Sequence, residues 1–215
     1  MHSPVTVNLK TPYLIFIGDV ESPTYAKTGL GIVQWRRELV AGQLRFSDNP
    51  LDLRVSDMSV EQAIKAGVKS LIIGVAPVGG TIGKHWETEL IKAAILGLDI
   101  VSGLHSRLDS IPGLADAAAA SDAALIDIRI PPSSISIATG QKRTGRRVLM
   151  VGTDCAVGKK YTALALTESL NKASVNASFR ATGQTGIMIA GRGIPIDAVV
   201  SDFVAGAAEI LSPDN

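Results

Sequence analysis

The sequence contains a single cysteine and almost no net charge. One thiol, Cys155, excludes an intramolecular disulfide and is compatible with a reducing compartment, so we expect a cytoplasmic protein. The 21 Lys and Arg residues nearly balance the 20 Asp and Glu residues, which leaves a formal charge of +1 at pH 7. Because nucleic-acid binding needs a strong basic footprint, we expect small-molecule substrates and no nucleic-acid partner.

Long apolar runs and targeting signals are also lacking. No run reaches the roughly 18 apolar residues of a membrane helix, and "MHSPVTVNLKTPYLIFIGDV" shows no basic region followed by a signal-length apolar core. The sequence therefore predicts neither a membrane span nor a membrane partner. The basic cluster at 141–147 is better explained by a solvated linker than by a binding patch.

What the chain does contain is an alternation of short apolar runs with segments of helical length. Strands are predicted at 13–18, 51–55, 70–75, 99–103 and 123–128. Helices are predicted between them, at 31–42, 59–67, 85–97 and in the Ala-rich stretch after Pro112. This order favours a Rossmann-like α/β domain over residues 1–140, with a parallel sheet and helices on both faces. Ligands of such sheets gather at the carboxyl ends of the strands.

The alternation breaks after Ile130, where Pro, Ser and basic residues predict a linker with a domain boundary near 140–147. A P-loop NTPase-like α/β domain is predicted over 147–215, with strands at 147–151 and 176–182 and a helix at 196–211. Two strands cannot form a sheet that is covered on both faces, so we expect this domain to be incomplete. The first domain, a partner or further residues of a longer chain would complete it, and we favour the longer chain.

The stretch "GTDCAVGKKYT" (152–162) follows the apolar run "RVLMV" and precedes a helical pattern, as a phosphate-binding loop does. It departs from the standard loop at two positions. Thr153 stands where the first glycine is usual, and Lys160 stands where a hydroxyl residue ligates magnesium. A second positive charge partly replaces the metal, so we expect a diphosphate that is bound but not cleaved, and no metal. The predicted cofactor-binding residues are Thr153, Asp154, Cys155, Ala156, Val157, Gly158, Lys159, Lys160 and Tyr161.

The loop resembles that of dethiobiotin synthetase-like proteins. Together with "AKTGLGIVQWRRELVAGQ", "GVAPVGGTIGKHW", "LGLDIVSGLHSRL" and "RATGQTGIMIAGRGIPIDAVVSDFVAGAAE", it resembles more closely a family long catalogued as a domain of unknown function. That family joins a Rossmann-like N-terminal domain to a longer P-loop domain and includes D-glutamate N-acetyltransferase. The resemblance implies acetyl transfer from acetyl-CoA to the amine of D-glutamate, in D-amino acid catabolism, with the CoA diphosphate in the P-loop. The preference for the D-enantiomer rests on the resemblance alone.

Amide formation from a thioester needs a base, a stabilised oxyanion and contacts to the substrate carboxylates. At the predicted strand exits, Asp19 is our leading candidate for the base, with a turn or helix cap as its structural alternative. Lys84 suits a carboxylate or the oxyanion, unless it is a solvated loop lysine, and His85 suits proton transfer. These three are the predicted catalytic residues. The predicted substrate-binding residues are Lys27, His105, Arg107, Gln184 and Thr185.

Two other functions remain open from the residues alone. One is a magnesium- and ATP-dependent ligase or kinase, which the likeness to dethiobiotin synthetase would suggest by itself. The other is a non-catalytic module that binds a nucleotide or CoA. Release of CoA without magnesium or ATP would distinguish the acetyltransferase from both. A homo-oligomer is the default expectation for any of these functions.

Overall fold

The computed structural model describes residues 6–77, 82–154 and 157–214. It divides into two compact units, one formed by residues 8–129 and the other by residues 6–7 and 130–214. We call them the Rossmann-like unit and the P-loop unit. The segment 130–147, which the sequence predicts as a linker, groups with the P-loop unit. None of the described helices has the length and hydropathy that a bilayer crossing requires.

Five described strands form the parallel sheet of the Rossmann-like unit, in the order β2-β1-β3-β4-β5. They are β1 (Tyr13–Gly18), β2 (Val40–Arg45), β3 (Ser70–Ile73), β4 (Asp99–Ser102) and β5 (Leu125–Asp127). The three central strands β1, β3 and β4 are buried along their whole length, as expected of a parallel sheet covered on both faces. The strand order changes direction at β1, so the switch point lies between the carboxyl ends of β1 and β3.

Helices connect these strands, and a close contact between two backbone segments fixes the position of the first helix. They are α1 (Lys27–Trp35), α2 (Val60–Lys65), α3 (Lys84–Ile95) and α4 (Leu114–Ser121). The Gly29 N–H donates to the Gly74 carbonyl at 2.7 Å, and the Cα of Gly29 would lie 3.0 Å from a β-carbon built on Gly74. Because both positions are glycine, the start of α1 lies directly against the exit of β3.

Two predictions in this unit are wrong. The helix predicted at 31–42 ends at Trp35, and Val40–Arg45 is an unpredicted strand beside β1. The strand predicted at 51–55 is irregular, although its Leu51 and Leu53 are buried. Its backbone is satisfied by a side chain, since the Leu53 N–H donates to Oε1 of the fully buried Gln43 at 2.8 Å. The alternation of apolar residues at 51–55 thus predicts which side chains are buried, but it does not predict whether the segment pairs as a strand.

The P-loop unit is helical where it is regular, with α5 (Lys159–Lys172), α6 (Gln184–Ala190) and α7 (Val204–Leu211). The strands predicted at 147–151 and 176–182 are absent from its described residues, where only isolated bridges occur. Val148, Leu149 and Val151 are 68–79% exposed. A strand needs a neighbour to pair with, and none is present for these residues within the described chain. The predicted helix at 196–211 is regular only from Val204, after two 3-10 turns.

The P-loop unit has a small core in which α7 packs on the segment 135–140. Ile194, Ala207 and Leu211 are its buried members. A β-carbon on Gly206 would overlap the Ser136 carbonyl oxygen, so the helix and this segment touch through backbone. These contacts hold part of the predicted linker against the unit.

Candidate active site

Asp19, His85 and Trp86 meet at the switch point of the sheet. Asp19 directly follows β1, while His85 and Trp86 lie in the first turn of α3, which follows the long loop after β3. His85 Nε2 lies 2.8 Å from Asp19 Oδ2, and Trp86 Nε1 donates to Asp19 Oδ1 at 2.7 Å. Two residues predicted to be catalytic, 66 positions apart, are therefore joined by a hydrogen bond.

Aromatic packing fixes this cluster on one side and leaves it open on the other. The Trp86 ring is buried and meets Phe16 edge to face at 5.4 Å between centroids, and the His85 ring lies 5.7 Å from that of Phe46. The side chains of His85 and Asp19 remain 56% and 53% exposed. The rings hold the cluster in place while its polar edge stays accessible to a ligand.

Hydrogen bonds keep the Asp19 carboxyl ionised. Burial on its own raises the pKa of Asp19, but hydrogen bonds from Trp86 and His85 outweigh it and lower that pKa below its ordinary value. A carboxylate at Oδ2 favours the His85 tautomer with its proton on Nε2. The lone pair of a neutral imidazole is then on Nδ1, which is the atom able to accept a proton from a substrate.

Asn49 holds the turn that carries Asp19. Its buried amide donates from Nδ2 to the Gly18 carbonyl at 2.8 Å and to the Val20 carbonyl at 3.1 Å. These carbonyls flank Asp19 on both sides. The Leu51 N–H in turn donates to Asn49 Oδ1 at 2.9 Å, so the amide is itself fixed in orientation. Asn49 was not predicted from the sequence, because a single Asn in an irregular stretch carries no pattern.

Trp86 follows a helical sequence pattern that is typical of a core residue, and its side chain is buried. Its indole N–H nevertheless reaches the site, which the helical pattern could not show. The neighbouring glycine Gly18, with φ of 54°, makes this approach possible, since a β-carbon there would lie 2.9 Å from Trp86 Nε1. The only available sequence signal was the position of Trp86 next to His85.

The remaining predicted residues of the Rossmann-like unit lie at its helix starts and at the exit of β4. Lys27 and Lys84 are the exposed first residues of α1 and α3, and His105 is exposed after β4. Arg107 is already paired, because Nη2 lies 2.8 Å from Asp109 Oδ2. This ion pair is exposed on both sides, and the role of Arg107 in binding a substrate carboxylate stays a prediction.

The P-loop stretch folds back on itself around Gly152. A β-carbon on Gly152 would lie 2.8 Å from Val157 and 3.3 Å from Cδ of Lys159, so this glycine supplies the close approach that Thr153 does not. Gly158, with φ of 99°, caps α5, and Lys159 Nζ donates to the Asp154 carbonyl. Lys160 Nζ lies 4.2 Å above the Tyr161 ring. Lys159 and the start of a 14-residue helix thus face the loop, with Lys160 beside them in the first turn.

Two predicted ligand residues, Cys155 and Ala156, lie outside the described residues, as do residues 78–81 of the glycine-rich loop. Gln184 and Thr185 begin α6, where Thr185 is buried in the P-loop unit. In the described parts of the chain, no three His, Cys, Asp or Glu side chains are grouped to hold a metal ion.

Two profiles of one family match the chain. The "Domain of unknown function (DUF1611_N) Rossmann-like domain" matches residues 43–131, and the "Domain of unknown function (DUF1611_C) P-loop domain" matches residues 136–215. A crystal structure of a DUF1611 family protein from Anabaena variabilis has a TM-score of 0.82 and 33% identity, over 92% of this chain and 61% of that one. The α/β class and the pairing of a Rossmann-like with a P-loop domain are confirmed.

Two curated relatives are each named "D-glutamate N-acetyltransferase". The relative from Tritonibacter scottomollicae is 46% identical over 207 residues, which are 96% of this chain and 62% of the relative. The relative from Pseudoalteromonas sp is 40% identical over 208 residues, which are 97% of this chain and 63% of the relative. The chain thus spans less than two thirds of the length of the curated relatives it matches.

Proposed function

Because the chain belongs to the DUF1611 family, we propose that the intact protein is an acetyl-CoA-dependent N-acetyltransferase acting on an acidic amino acid, D-glutamate above all. The printed names of two relatives support the reaction and the substrate. The observation that carries the chemistry is the hydrogen bond between Asp19 and His85 at the switch point. It supplies an oriented imidazole in the place where sheets of this order bind ligands.

The two residues take different roles. The amine of the substrate must lose a proton as it attacks the thioester carbonyl, and His85 Nδ1 is proposed to accept that proton. Asp19 stabilises the imidazolium that forms and holds the ring in the required tautomer. When the carbon–sulfur bond breaks, the imidazolium returns the proton to the CoA thiolate. Asp19 was the leading candidate for the base from the sequence, with His85 as an alternative, and the hydrogen bond between them supports His85 as the base with Asp19 as its partner.

The P-loop is proposed to bind the diphosphate of acetyl-CoA. Gly152 and Gly158 permit the tight loop, and Lys159 and Lys160 provide two positive charges beside the start of α5. A thioester is already activated, so the reaction needs neither ATP nor a magnesium ligand at position 160. Lys84, Lys27 and His105 are candidates for the substrate carboxylates. Cytoplasmic location and homo-oligomeric assembly complete the proposal.

The test is an assay of thiol release by the intact protein with acetyl-CoA and D-glutamate, without magnesium or ATP. We expect release of CoA that depends on the amino acid and is slower with L-glutamate. Absence of release with every acidic amino acid would overturn the proposal. Magnesium-dependent ATP turnover, increased by Lys160→Thr, would instead identify a ligase or kinase.

Variants of Asp19 and His85 test the mechanism separately from the identity of the substrate. Asp19→Asn and His85→Gln keep the size of each side chain and are expected to lower kcat by about 100- to 10,000-fold. Asp116→Asn removes an exposed carboxylate from α4 and is the matched control, with kcat unchanged. If His85→Gln retained wild-type kcat, another residue would have to be the base.

A further inference from the structure

Two arginines of the P-loop unit lie on neighbouring segments, and neither has an acidic partner among the residues that the structure describes. Ala181 and Gly193 form a parallel bridge, and the Ile194 N–H donates to the Ala181 carbonyl at 3.1 Å. In this register Arg180 and Arg192, the residues just before the bridge, are neighbours. A β-carbon on Gly193 would lie 2.5 Å from the Ala181 carbonyl oxygen, so the backbones of the two segments are in close contact here.

Arg180 is not satisfied within the described chain. Its Nη1 is buried and has no hydrogen-bond partner among the residues that the structure describes. Burial, and then the charge of Arg192, lower the pKa of Arg180, which shows that the surroundings oppose its charge. Arg143 of the same unit also has a buried nitrogen without a partner among the described residues, Nε, but it has acidic neighbours, since its Nη2 lies 3.4 Å from Glu209 Oε2 and its Nη1 4.0 Å from Asp214 Oδ2.

A guanidinium group with a buried, unpaired nitrogen beside a second cation is costly unless an anion binds to both. Two guanidinium groups present several N–H donors in planar forks, which match the oxygens of a phosphate or a carboxylate. We propose that Arg180 and Arg192 form a binding site for an oxyanion of the substrates. This inference rests on the proposed function for the identity of those substrates and is additional to the diphosphate site of the P-loop.

Two groups of the proposed substrates carry this chemistry. Acetyl-CoA has a phosphate monoester on its ribose, separate from the diphosphate, and an acidic amino acid has a side-chain carboxylate. Dephospho-CoA lacks only the monoester and distinguishes the first source. D-Glutamate and D-glutamine have side chains of equal length that differ in carboxylate against amide, and they distinguish the second.

The experiment is calorimetric titration of the intact protein and of its Arg180→Gln and Arg192→Gln variants. If the monoester is bound, wild-type protein binds CoA at least about tenfold more tightly than dephospho-CoA, and both variants abolish that preference. If the carboxylate is bound, the variants keep the preference for CoA and lose at least about tenfold in affinity for D-glutamate, measured with CoA present. Arg146→Gln removes an exposed arginine of the same unit and is the matched control.

Folding is checked in the same variants by their melting temperature without ligand. Because Arg180 has a buried Nη1 without a partner in the described chain, Arg180→Gln is expected to melt at the same temperature as the wild type or above it. Lower melting temperature with unchanged affinity for every ligand would overturn the proposal and assign the arginines a structural role. Unchanged melting temperature and affinity would overturn it too. A failure of the proposed function gives a different result, because the wild-type protein would then bind no CoA.

Discussion

Two apolar runs of similar composition adopt different structures in the two units. "YLIFIG" forms the inner strand β1 and is buried throughout, whereas "VLMV" at 148–151 has no strand partner in the described parts of the chain and three of its side chains are exposed. β1 is paired on one side with β2 and on the other with β3. The difference shows that an apolar run supplies the capacity to form a strand, and that residues distant in the chain decide whether it does.

The largest expected contrast is between equivalent truncations in these two runs. Leu14→Ala opens a cavity in a fully buried position and is expected to lower the free energy of unfolding by about 3–5 kcal/mol. Leu149→Ala, at a position that is 79% exposed, should change it by less than about 0.5 kcal/mol. Urea unfolding of the intact protein measures both. Equal losses would show that residues 148–151 are covered in solution, and the contrast between the runs would disappear.

A second contrast is between two asparagine tethers, one in each unit. Asn49→Ala leaves the Gly18 and Val20 carbonyls without a buried donor and should cost about 1–3 kcal/mol. Asn171→Ala removes an exposed amide that bridges the backbone of Ala177, and water replaces it at a cost of about 0.5 kcal/mol. Thermal unfolding compares the two.

Measurements of activity distinguish a role of Asn49 in positioning Asp19 from a role in stability alone. We expect Asn49→Ala to lower kcat with KM unchanged and to move the pH–rate profile, because the Asp19 turn is released. Asn171→Ala should move neither quantity. If Asn49→Ala lost stability alone, with the kcat of the folded fraction intact, then Asn49 would not position the carboxylate.

A third contrast concerns glycine in a helix. Replacing a helical glycine by alanine usually stabilises by about 1 kcal/mol. Gly206→Ala should reverse this sign and destabilise by about 1–3 kcal/mol, because its methyl group would overlap the Ser136 carbonyl. Ala205→Gly, at the exposed neighbouring position, is the control and should show only the ordinary loss. A stabilised Gly206→Ala would mean that α7 does not pack on the segment 135–140.

The smallest expected effect is a pH dependence confined to the P-loop unit. Glu209 accepts hydrogen bonds from the Thr139 and Gly140 N–H groups at 2.9 and 2.8 Å, and the Thr139 bond is the main cause that lowers the pKa of Glu209 below 4.5. A carboxyl with a lowered folded pKa stabilises above its unfolded pKa, and this contribution is lost as the pH falls through the folded pKa. The Asn49 tether carries no titrating group and should be insensitive over that range.

Hydrogen exchange at Thr139 and Gly140 measures this dependence. Correcting for the intrinsic exchange rate, protection should fall on acidification below about pH 4.5. In Glu209→Gln the protection should be weaker and independent of pH. Protection that stays constant in the wild type down to pH 2 would contradict the assignment of the tether to the carboxylate.

How far the sequence predicts the fold depends on how local each signal is. The β1 strand is confirmed at its predicted bounds because it is apolar at every position between two polar segments. β2 was missed since "VAGQLR" follows a helical pattern without a break, and its pairing with β1 joins residues distant in the chain. The strands predicted in the P-loop unit fail for the complementary reason, that their pairing partners are absent from the described residues.

The residues of the candidate site also differ in how local their sequence signals are. The rule that ligands collect at strand exits was enough to select Asp19 and His85, although the hydrogen bond between them depends on α3 placing its first turn beside β1. The P-loop was predicted from contiguous residues. Asn49 and the Arg180–Arg192 pair were missed because their roles come from residues that become neighbours only after folding.

The indole hydrogen bond to Asp19 gives the protein a built-in optical reporter. Trp86 is one of two tryptophans in the chain, and its ring nitrogen is bonded directly to the carboxylate oxygen Oδ1. The emission of an indole depends on the charge at its nitrogen, so protonation of Asp19 or binding of an amine beside it should shift the fluorescence. Ligand binding at the site can therefore be followed by the fluorescence of the unlabelled protein. The Trp86→Phe variant, which keeps only Trp35, is the reference that should not respond.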